Sequence, residues 1–301
     1  MQDSPLAGRT VVVTGAARGL GAALARELAH RGARIALLGH EKDALERVAA
    51  DLPTPALALE TDVTDAEALR AAADTVRTRL GRPSAVVANA GIAEAGSLRT
   101  ANQQTWRRVI DVNLTGSALT GQTFLPDLVH TRGYYLQIAS LAAVGAVPMM
   151  SAYCASKAGA EAFAHALRTE TAHLGVAVGV AYLNWVDTDM LHDADTDPAL
   201  RDVRAMLPPP ARRISPVGPV VARLAHAVEH RRTSVYLPGW LRLAQAGRGL
   251  LPPVISRVAR AHYQRLAAGQ PLHQSGPLGR GGRADGAVPD RSRGADPRRI
   301  R

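Results

Sequence analysis

The sequence predicts an α/β fold, a doubly wound parallel β-sheet flanked by helices, in a single domain with an extra C-terminal helix. Two patterns carry this prediction. Short aliphatic and β-branched runs alternate with longer helical patterns through the first 240 residues, and repeated βα units give parallel strands with right-handed crossovers. The first strand pattern also runs directly into a glycine-rich turn and then a helix, the order found where a sheet binds a dinucleotide.

The composition is that of a globular protein. Of the 301 residues, 47% are hydrophobic and 21% are charged, and no run of eighteen apolar residues predicts a membrane span. The N-terminus lacks the basic-then-apolar pattern of a signal peptide, and the single Cys154 can form no internal disulfide, so we expect a cytoplasmic protein. One cysteine also makes no zinc cluster, and we predict no metal site.

The net charge of +10 is concentrated at the C-terminus. Residues 241–301 hold twelve arginines and three aspartates and so carry nine of the ten net charges. Residues 1–240 are nearly neutral. Because the excess positive charge lies in residues 241–301, it gives little information about residues 1–240. We therefore predict no specific nucleic-acid binding from the net charge.

The first strand pattern, residues 10–13, leads into a glycine turn at residues 14–21, and the helical pattern of residues 22–31 follows. The glycines would make the tight turn, let the backbone approach a pyrophosphate and let the helix pack closely on the strand, as in Rossmann-type folds. The helix N-terminus would offer unpaired N–H groups to the phosphates. The residues of this turn predicted to bind a cofactor are Gly15, Arg18, Gly19, Leu20 and Gly21.

The second strand pattern, residues 34–38, ends at Gly39 and His40. Many NAD-binding folds place here an acid that binds the adenosine ribose and would repel a 2′-phosphate. With Gly39 at this position, and with His40 and Arg18 nearby, the pocket favours NADP(H) over NAD(H). The neighbouring Glu41, and the small charge of a neutral histidine, point the other way.

The alternation continues as far as residue 139. Helical patterns span residues 42–51, 66–80 and 106–128, and strand patterns span residues 56–59, 85–88 and 134–139. Cofactor clefts form at the carboxyl ends of such strands, and an asparagine in the middle of an apolar helix needs a partner. Asp62 and Val63 come shortly after the third strand pattern, and Asn89, Ala90 and Gly91 come directly after the fourth. Asn113 lies within the third helical pattern.

Ser140 follows the fifth strand pattern, and a long helical pattern begins at Tyr153. Tyr153 and Lys157 lie four residues apart, about one helical turn, so they share a face. A phenol titrates near ~10, and a fixed positive charge beside it moves the pKa towards physiological pH. This suits a proton donor or acceptor. Lys157 and Lys42 are the two lysines among 36 basic residues, and an ammonium is a more compact charge than a guanidinium.

In this order and at this spacing, the markers resemble those of the short-chain dehydrogenase/reductase family over residues 8–240. The resemblance implies a catalytic tetrad. In it, Tyr153 is the general acid/base, and Lys157 lowers the pKa of Tyr153 and binds the nicotinamide ribose. Ser140 orients the substrate carbonyl or alcohol, and Asn113 holds a water that links Lys157 to solvent.

The resemblance also assigns the rest of the cofactor site. Asp62 and Val63 would meet the adenine, and Asn89, with Ala90 and Gly91, would lie beside the cofactor. Val186 and Thr188 follow the sixth strand pattern, residues 176–182, and Thr188 would contact the carboxamide. There the sequence departs from the family, because Leu183 and Asn184 replace the usual Pro-Gly pair. Asparagine tolerates the left-handed backbone that glycine would supply, so we expect the turn to be retained.

The segments after Ser140 and Thr188 set the substrate in this family. Here they predict an apolar, adaptable pocket that suits a lipophilic ketone or alcohol, although the same residues could be ordinary core. Acidic residues at positions 193, 195 and 197 lie further out. The pocket residues predicted are Ala142, Val144, Val147, Met149, Met150, Met190 and Leu191.

The resemblance to the family ends at residue 240. Residues 241–268 predict a basic amphipathic helix that could cover the active-site cleft, pack in an oligomer or make peripheral contact with an anionic membrane. Residues 269–301, rich in Gly, Pro, Arg and Asp, should be disordered. Family analogy predicts a homodimer or homotetramer through the helices that carry Asn113 and Tyr153.

Two functions fit the sequence. One is an NADP(H)-dependent oxidoreductase that interconverts a secondary alcohol and a ketone on a lipophilic small molecule. The other is a non-catalytic nucleotide-binding sensor or scaffold that acts through its basic C-terminus. The complete tetrad argues against the second function, because a sensor has no need of a tuned phenol.

Overall fold

A computed structural model describes residues 4–196, 200–201, 204–205, 207–253, 255, 257, 260 and 275–286. Within these residues the chain forms a seven-stranded sheet in the order β3-β2-β1-β4-β5-β6-β7, and every strand pair is parallel. The strands are β1 (Thr10–Thr14), β2 (Arg34–Gly39), β3 (Ala56–Glu60), β4 (Pro83–Ala88), β5 (Tyr134–Ser140), β6 (Ala177–Leu183) and β7 (Ser234–Leu237).

Helices connect the strands and extend beyond them. They are α1 (Gly19–His30), α2 (Lys42–Ala50), α3 (Ala66–Leu80), α4 (Gln103–Ile110), α5 (Gly116–Thr131), α6 (Leu141–Val144), α7 (Ser151–Thr171), α8 (Asp189–Thr196), α9 (Pro209–Arg212), α10 (Val217–Glu229), α11 (Leu241–Ala246) and α12 (Gly279–Gly286). A π-helical turn, Asp111–Thr115, joins α4 to α5, and short 3₁₀ turns, Ala172–Leu174 and Arg248–Leu250, follow α7 and α11.

Both faces of the sheet are buried. Val11 and Val13 of β1 cluster with side chains of α1, α2 and α10, whereas Val12 clusters with side chains of α3, α5 and α7. All three valines are fully buried. A sheet covered on both faces needs apolar residues at every strand position, which explains the continuous aliphatic runs in the sequence. The predicted α/β class and doubly wound sheet are confirmed.

The helix predicted over residues 106–128 is interrupted. It is divided by the π-helical turn Asp111–Thr115, in which Asn113 lies fully buried. Such a turn adds one residue to a helical repeat and is frequent at functional sites. Helical periodicity cannot show it, because the apolar pattern continues on either side.

The predicted disorder of residues 269–301 is wrong for residues 275–286, which we call the C-terminal strap. Its Ser275 and Leu278 make backbone hydrogen bonds to the segment after β4, and α12 follows. Contacts with the body, absent from any local pattern, order this glycine-rich sequence. Residues 254, 256, 258, 259 and 261–268 of the helix predicted over residues 241–268 lie outside the described residues, as do residues 269–274 and 287–301.

Residues 241–250 pack on the protein body. Leu241 is fully buried, and Gln245 and Arg248 hydrogen-bond to the buried Glu161 of α7. Leu243 and Leu250 are exposed. No helix in the described part of the chain is long and apolar enough to cross a membrane.

Candidate active site

The glycine turn lies at the carboxyl end of β1, beside the point where the strand order reverses. Gly15 and Gly19 have positive φ angles of 64° and 54°, which side chains rarely adopt. A Cβ at Gly21 would lie 2.2 Å from the carbonyl oxygen of Gly15. The first turn of α1 contains no acidic residue, so its backbone amides are available to an anion.

Asn89 ties this turn to the end of β4. Its Nδ2 donates to the carbonyl oxygens of Thr14, at 2.9 Å, and Gly15, at 3.2 Å. In return, Thr14 Oγ1 accepts from the backbone amides of Asn89 and Ala90, both at 3.0 Å. The two turns are therefore fixed relative to each other at the edge of the sheet.

The side chains after β2 have partners that the sequence did not predict. Arg18 Nε donates to Glu41 Oε2 at 2.6 Å, and His40 Nε2 lies 3.1 Å from Asp285 Oδ1 of the strap. We expected Arg18 and His40 to be open to a phosphate, and in this structure both are engaged. The reason is that each side chain lies within hydrogen-bonding distance of a carboxylate, and the hydrogen bond with Asp285 raises the pKa of His40.

Asp62 lies behind the cleft and does not line its wall. Its Oδ1 accepts from the Thr64 amide at 2.8 Å, and its Oδ2 accepts from Arg108 Nη2 at 2.9 Å. Burial opposes the charge of Asp62, but the hydrogen bonds from Thr64 and Arg108 outweigh it and lower the pKa of Asp62. Asp62 therefore remains ionised and holds Arg108 beside His40.

Tyr153, Ser140 and Lys157 come together on the wall of the cleft. Burial raises the pKa of Tyr153 above its usual value, and a hydrogen bond with the Ser140 side chain opposes the rise. Lys157 Nζ lies 5.8 Å from the centroid of the Tyr153 ring and donates to the Ile138 carbonyl at 3.2 Å. Burial lowers the pKa of Lys157 to about 8.

The expected lowering of the Tyr153 pKa by Lys157 is therefore not what this geometry gives. Loss of water around the phenol dominates, and Ser140 is the group that counteracts it. Burial also disfavours the charge of the ammonium itself. The helical spacing correctly predicts that the two side chains are neighbours, but spacing carries no information on their exposure to solvent.

Asn113 is bound by protein groups. Its Oδ1 accepts from the Ile92 amide at 2.8 Å, and its Nδ2 donates to the Ile92 carbonyl and to Ser156 Oγ, both at 2.9 Å. A Cβ on Gly91 would meet Asn113 Oδ1 at 3.1 Å and Lys157 Nζ at 3.3 Å. Asn113 thus lies behind the wall, with Gly91 packed against both polar groups.

Most of the predicted site residues line one continuous cleft, and Asp62 and Asn113 are the exceptions. The predicted cofactor and catalytic residues on its wall are Gly15, Arg18, Gly19, Leu20, Gly21, His40, Val63, Asn89, Ala90, Gly91, Ser140, Tyr153, Lys157, Val186 and Thr188.

The apolar end of the cleft agrees in part with the predicted pocket. Val144 instead clusters with the core of the sheet, and Met149 is buried at a positive φ of 66° away from the wall. Position 197 lies outside the described residues. The predicted pocket residues that line the cleft are Ala142, Val147, Met150, Met190 and Leu191.

Asn184 does not have the left-handed backbone that we expected of it. Its amide donates to the Leu237 carbonyl at 2.9 Å, and its Nδ2 donates to the Arg213 carbonyl at 3.1 Å. The chain leaves β6 without a positive φ at this position. The replacement of Pro-Gly is accommodated by these two hydrogen bonds.

Sequence reasoning missed several residues of the cleft. Trp185, Leu278 and Asp285 line it, and Arg108 holds Asp285 from behind. Arg108 and Asp285 are 177 residues apart in the chain. No local pattern connects such positions, and the glycine-rich composition of the strap suggested disorder.

Residues 9–199 match the family model described as short chain dehydrogenase. The chain belongs to the short-chain dehydrogenase/reductase family. As a short-chain dehydrogenase/reductase, it is an NAD(P)-dependent enzyme that acts on CH–OH or C=O groups. The residues present fit a dinucleotide, because the glycine turn lines the cleft and the first turn of α1 beside it carries no acidic residue and no side-chain cap.

Curated relatives of this short-chain dehydrogenase/reductase share about a third of its residues over the matched region. Meso-2,3-butanediol dehydrogenase of Serratia marcescens is 32% identical over 60% of this chain and 73% of its own length. Cis-4-hydroxycyclohexanecarboxylate dehydrogenase of Sinomonas cyclohexanicum is 34% identical over 63% and 78%, respectively. D-threitol dehydrogenase of Mycolicibacterium smegmatis is 33% identical over 68% and 81%.

Proposed function

We propose that this enzyme interconverts a secondary alcohol and a ketone on a lipophilic small molecule, with NADP(H) as its preferred cofactor and Tyr153 as its general acid/base. One observation carries this function: Tyr153, Ser140 and Lys157 share the wall of a cleft whose other end is the glycine turn. A proton donor and a dinucleotide cradle in one cleft are what carbonyl reduction requires.

The chain's own residues would hold the substrate oxygen and move the proton. When bound, the nicotinamide supplies or accepts the hydride. In ketone reduction, the Tyr153 phenol donates its proton to the carbonyl oxygen, and Ser140 Oγ hydrogen-bonds the same oxygen. Lys157 stabilises the phenolate that remains, and in alcohol oxidation the proton returns to Tyr153.

An apolar lining supports a lipophilic substrate. Val147, Met150 and Met190 surround the catalytic end of the cleft together with Leu278 of the strap. Methionine adapts to irregular apolar shapes. The names of the relatives refer to butanediol, threitol and hydroxycyclohexanecarboxylate, which supports a reaction at an alcohol carbon.

Two features support NADP(H). Gly39 brings no carboxylate to the end of β2, and the His40 imidazole and the Arg108 guanidinium lie next to it. The pairing of Arg18 with Glu41 removes one of the cations on which the sequence prediction depended. His40 and Arg108 therefore become the groups that we assign to the 2′-phosphate.

Replacing Tyr153 by phenylalanine tests the chemistry, because it removes only the oxygen that carries the proton. In an NADPH oxidation screen against lipophilic carbonyls, and in the reverse reaction on their alcohols, we expect turnover to fall by at least about 10³-fold, a loss typical of a missing general acid. Binding of NADPH should remain within a few-fold. Retained turnover in the Tyr153→Phe variant would refute the mechanism.

The strap over the cleft and the basic C-terminus favour a second candidate, a nucleotide-binding sensor or scaffold without turnover. The two candidates differ in one measurement. Oxidation of NADPH by any substrate of the screen, lost in the Tyr153→Phe variant, eliminates the sensor. Tight NADPH binding with no turnover on any substrate supports it.

We also propose that the chain is one catalytic domain, residues 1–240, with a C-terminal extension, and that it works in the cytoplasm as a homodimer or homotetramer through α4, α5 and α7. Light scattering on the full chain tests the oligomer. The exposed Leu243 and Leu250 beside Arg248 are the features that would support peripheral membrane contact. Co-sedimentation with anionic vesicles, with and without residues 241–301, tests that contact.

A further inference from the structure

The C-terminal strap lies across the cofactor cleft. It begins as an extended segment, in which the Ser275 amide donates to the Ala95 carbonyl and the Leu278 amide donates to the Ala93 carbonyl, both at 2.8 Å. The Leu278 side chain is 4% exposed and packs in the apolar cluster that contains Met150. The strap thus starts at the substrate end of the cleft.

Helix α12 carries the strap from there to the adenosine end. The Gly279 amide donates to Asp193 Oδ2 of α8 at 2.9 Å, and Arg283 forms an ion pair with the same carboxylate. A Cβ at Gly279 would lie 3.0 Å from Met190 Cα, so only glycine allows this approach. The strap is therefore docked at two places before it reaches His40.

Asp285 occupies a well-formed anion site at the end of this path. It is 4% exposed. Its Oδ1 accepts from Arg108 Nη2 at 2.6 Å, its Oδ2 accepts from Arg108 Nε at 2.9 Å, and His40 Nε2 lies 3.1 Å from Oδ1. A bidentate guanidinium and an imidazole on one buried carboxylate make a strong and specific anion pocket.

This anion pocket coincides with the place that we assign to the cofactor's 2′-phosphate. His40 directly follows Gly39, where other dinucleotide folds carry the acid that binds the ribose. The glycine turn and the strap residues Gly279 to Asp285 line the same cleft. A dinucleotide without a 2′-phosphate brings no charged group to the anion pocket, so it does not compete with Asp285 for Arg108 and His40.

We propose that Asp285 is a specificity-determining residue that occupies the 2′-phosphate site, so that NADP(H) has to displace it and NAD(H) does not. This inference rests on the proposed function, because it takes the adenosine end of the cofactor to lie at His40. A phosphate and the carboxylate cannot share the pocket, since two like charges at contact distance repel. The phosphate can replace the carboxylate because it offers more charge and three acceptor oxygens to Arg108 and His40.

Binding constants for both cofactors test this directly. The Asp285→Asn variant removes the charge but keeps the shape, and we expect it to bind NADPH at least about tenfold more tightly than the wild type, the effect of one lost charge-assisted contact. The dissociation constant for NADH should stay within about twofold. Asp285→Glu keeps the competing charge and serves as the matched control, with NADPH binding close to that of the wild type.

Amide hydrogen exchange on the wild-type chain gives a second readout that needs no variant. NADP⁺ should speed the exchange of α12 amides, because Asp285 leaves its pocket, and NAD⁺ should leave α12 unchanged. Slower exchange of α12 with NADP⁺, or the same response to both cofactors, would overturn the inference. It would mean that the strap is a lid that holds the cofactor.

The outcomes separate this inference from the proposed cofactor preference. If the wild type binds NADH more tightly but Asp285→Asn shifts the ratio towards NADPH, the preference fails and the role of Asp285 stands. If the wild type prefers NADPH but Asp285→Asn changes neither constant, or both equally, the preference stands and the role of Asp285 is refuted. Failure of the chain to bind either dinucleotide refutes both.

Discussion

Lys157 is buried and Tyr153 is half-buried on the wall of the cleft, and loss of water shifts the pKa values of the two groups in opposite directions. It raises the pKa of the phenol and lowers that of the ammonium to about 8. Both shifts favour the neutral form. At neutral pH the phenol therefore holds its proton, as the proposed role of proton donor requires, and the lysine holds a charge that destabilises the fold.

Replacing Lys157 by methionine removes this charge and keeps most of the volume. We expect the free energy of unfolding to rise by on the order of 2 kcal/mol at pH 7, because a pKa unit corresponds to about 1.4 kcal/mol, while turnover is lost. The folded pKa of Lys157, about 8, lies below its usual 10.5. The gain is therefore full below about pH 8 and disappears as the pH approaches 10.5, where the unfolded lysine also loses its proton.

Urea denaturation at pH 7 and pH 10 measures this effect. Lys42, the other lysine of the chain, is exposed on α2, so Lys42→Met is a matched control and should change stability little at either pH. A Lys157→Met variant less stable than the wild type at pH 7 would show that the contact with the Ile138 carbonyl outweighs the cost of the buried charge.

The glycine turn between β1 and α1 is the element to which we assign the positioning of the cofactor. Two of its glycines are needed for different reasons. Gly15 has a positive φ of 64°, and Gly21 leaves no room for a Cβ, which would lie 2.2 Å from one carbonyl oxygen and 2.6 Å from Asn89 Nδ2. At Gly39, on the neighbouring strand, a Cβ would meet its nearest atom, Leu45 Cδ2, at an ordinary contact distance of 3.6 Å.

Two alanine substitutions separate these cases. In Gly21→Ala, strand and helix must move apart, and we expect dinucleotide binding to weaken by at least about 100-fold with a stability loss of about 1–3 kcal/mol, as for overpacked cores. In Gly39→Ala, the methyl group fits, and both quantities should stay near the wild-type values. Calorimetric titration with NADPH and thermal unfolding measure them. Equal behaviour of the two variants would contradict the close packing at Gly21.

At the scale of the whole molecule, the chain after β7 returns over the body. Residues 241–250 dock through the buried Glu161 of α7, whose Oε1 accepts from Tyr182 Oη at 2.7 Å, Gln245 Nε2 at 2.5 Å and Arg248 Nη1 at 3.1 Å. The strap then covers the cleft. Both the contact at Glu161 and the contact at Asp285 depend on charged or polar groups that lie far apart in the chain, 84 positions for Gln245 and Glu161 and 177 for Asp285 and Arg108.

Replacing Glu161 by alanine should therefore destabilise the chain and release its C-terminal part. We expect a loss of about 2–4 kcal/mol in the free energy of unfolding, because three donors lose a buried acceptor, and faster amide exchange across residues 241–250. Glu170→Ala, on the exposed face of the same helix, is the control and should change neither. Unchanged exchange in Glu161→Ala would mean that apolar packing of Leu241 and its neighbours Trp240 and Ala244 holds the segment.

The local features of this protein could be predicted from its sequence. The aliphatic runs predicted β1 to β6 to within a few residues, although β7 was not predicted, and glycine spacing located the turn after β1. The four-residue spacing placed Tyr153 and Lys157 on one helix face. These features depend on backbone geometry and on side-chain periodicity, which neighbouring residues determine. The π-helical turn at Asn113 could not be predicted, because it leaves the apolar pattern of the helix unbroken.

The sequence alone determined the fold class, the family markers and the identity of the groups at the catalytic end of the cleft. Only the tertiary structure decided their environment. It paired Arg18 with Glu41, brought Asp285 to Arg108 and His40, and partly buried Tyr153 so that its pKa rises. Burial and ion pairing are set by which distant segments meet, and no local pattern encodes a contact between residues 177 positions apart.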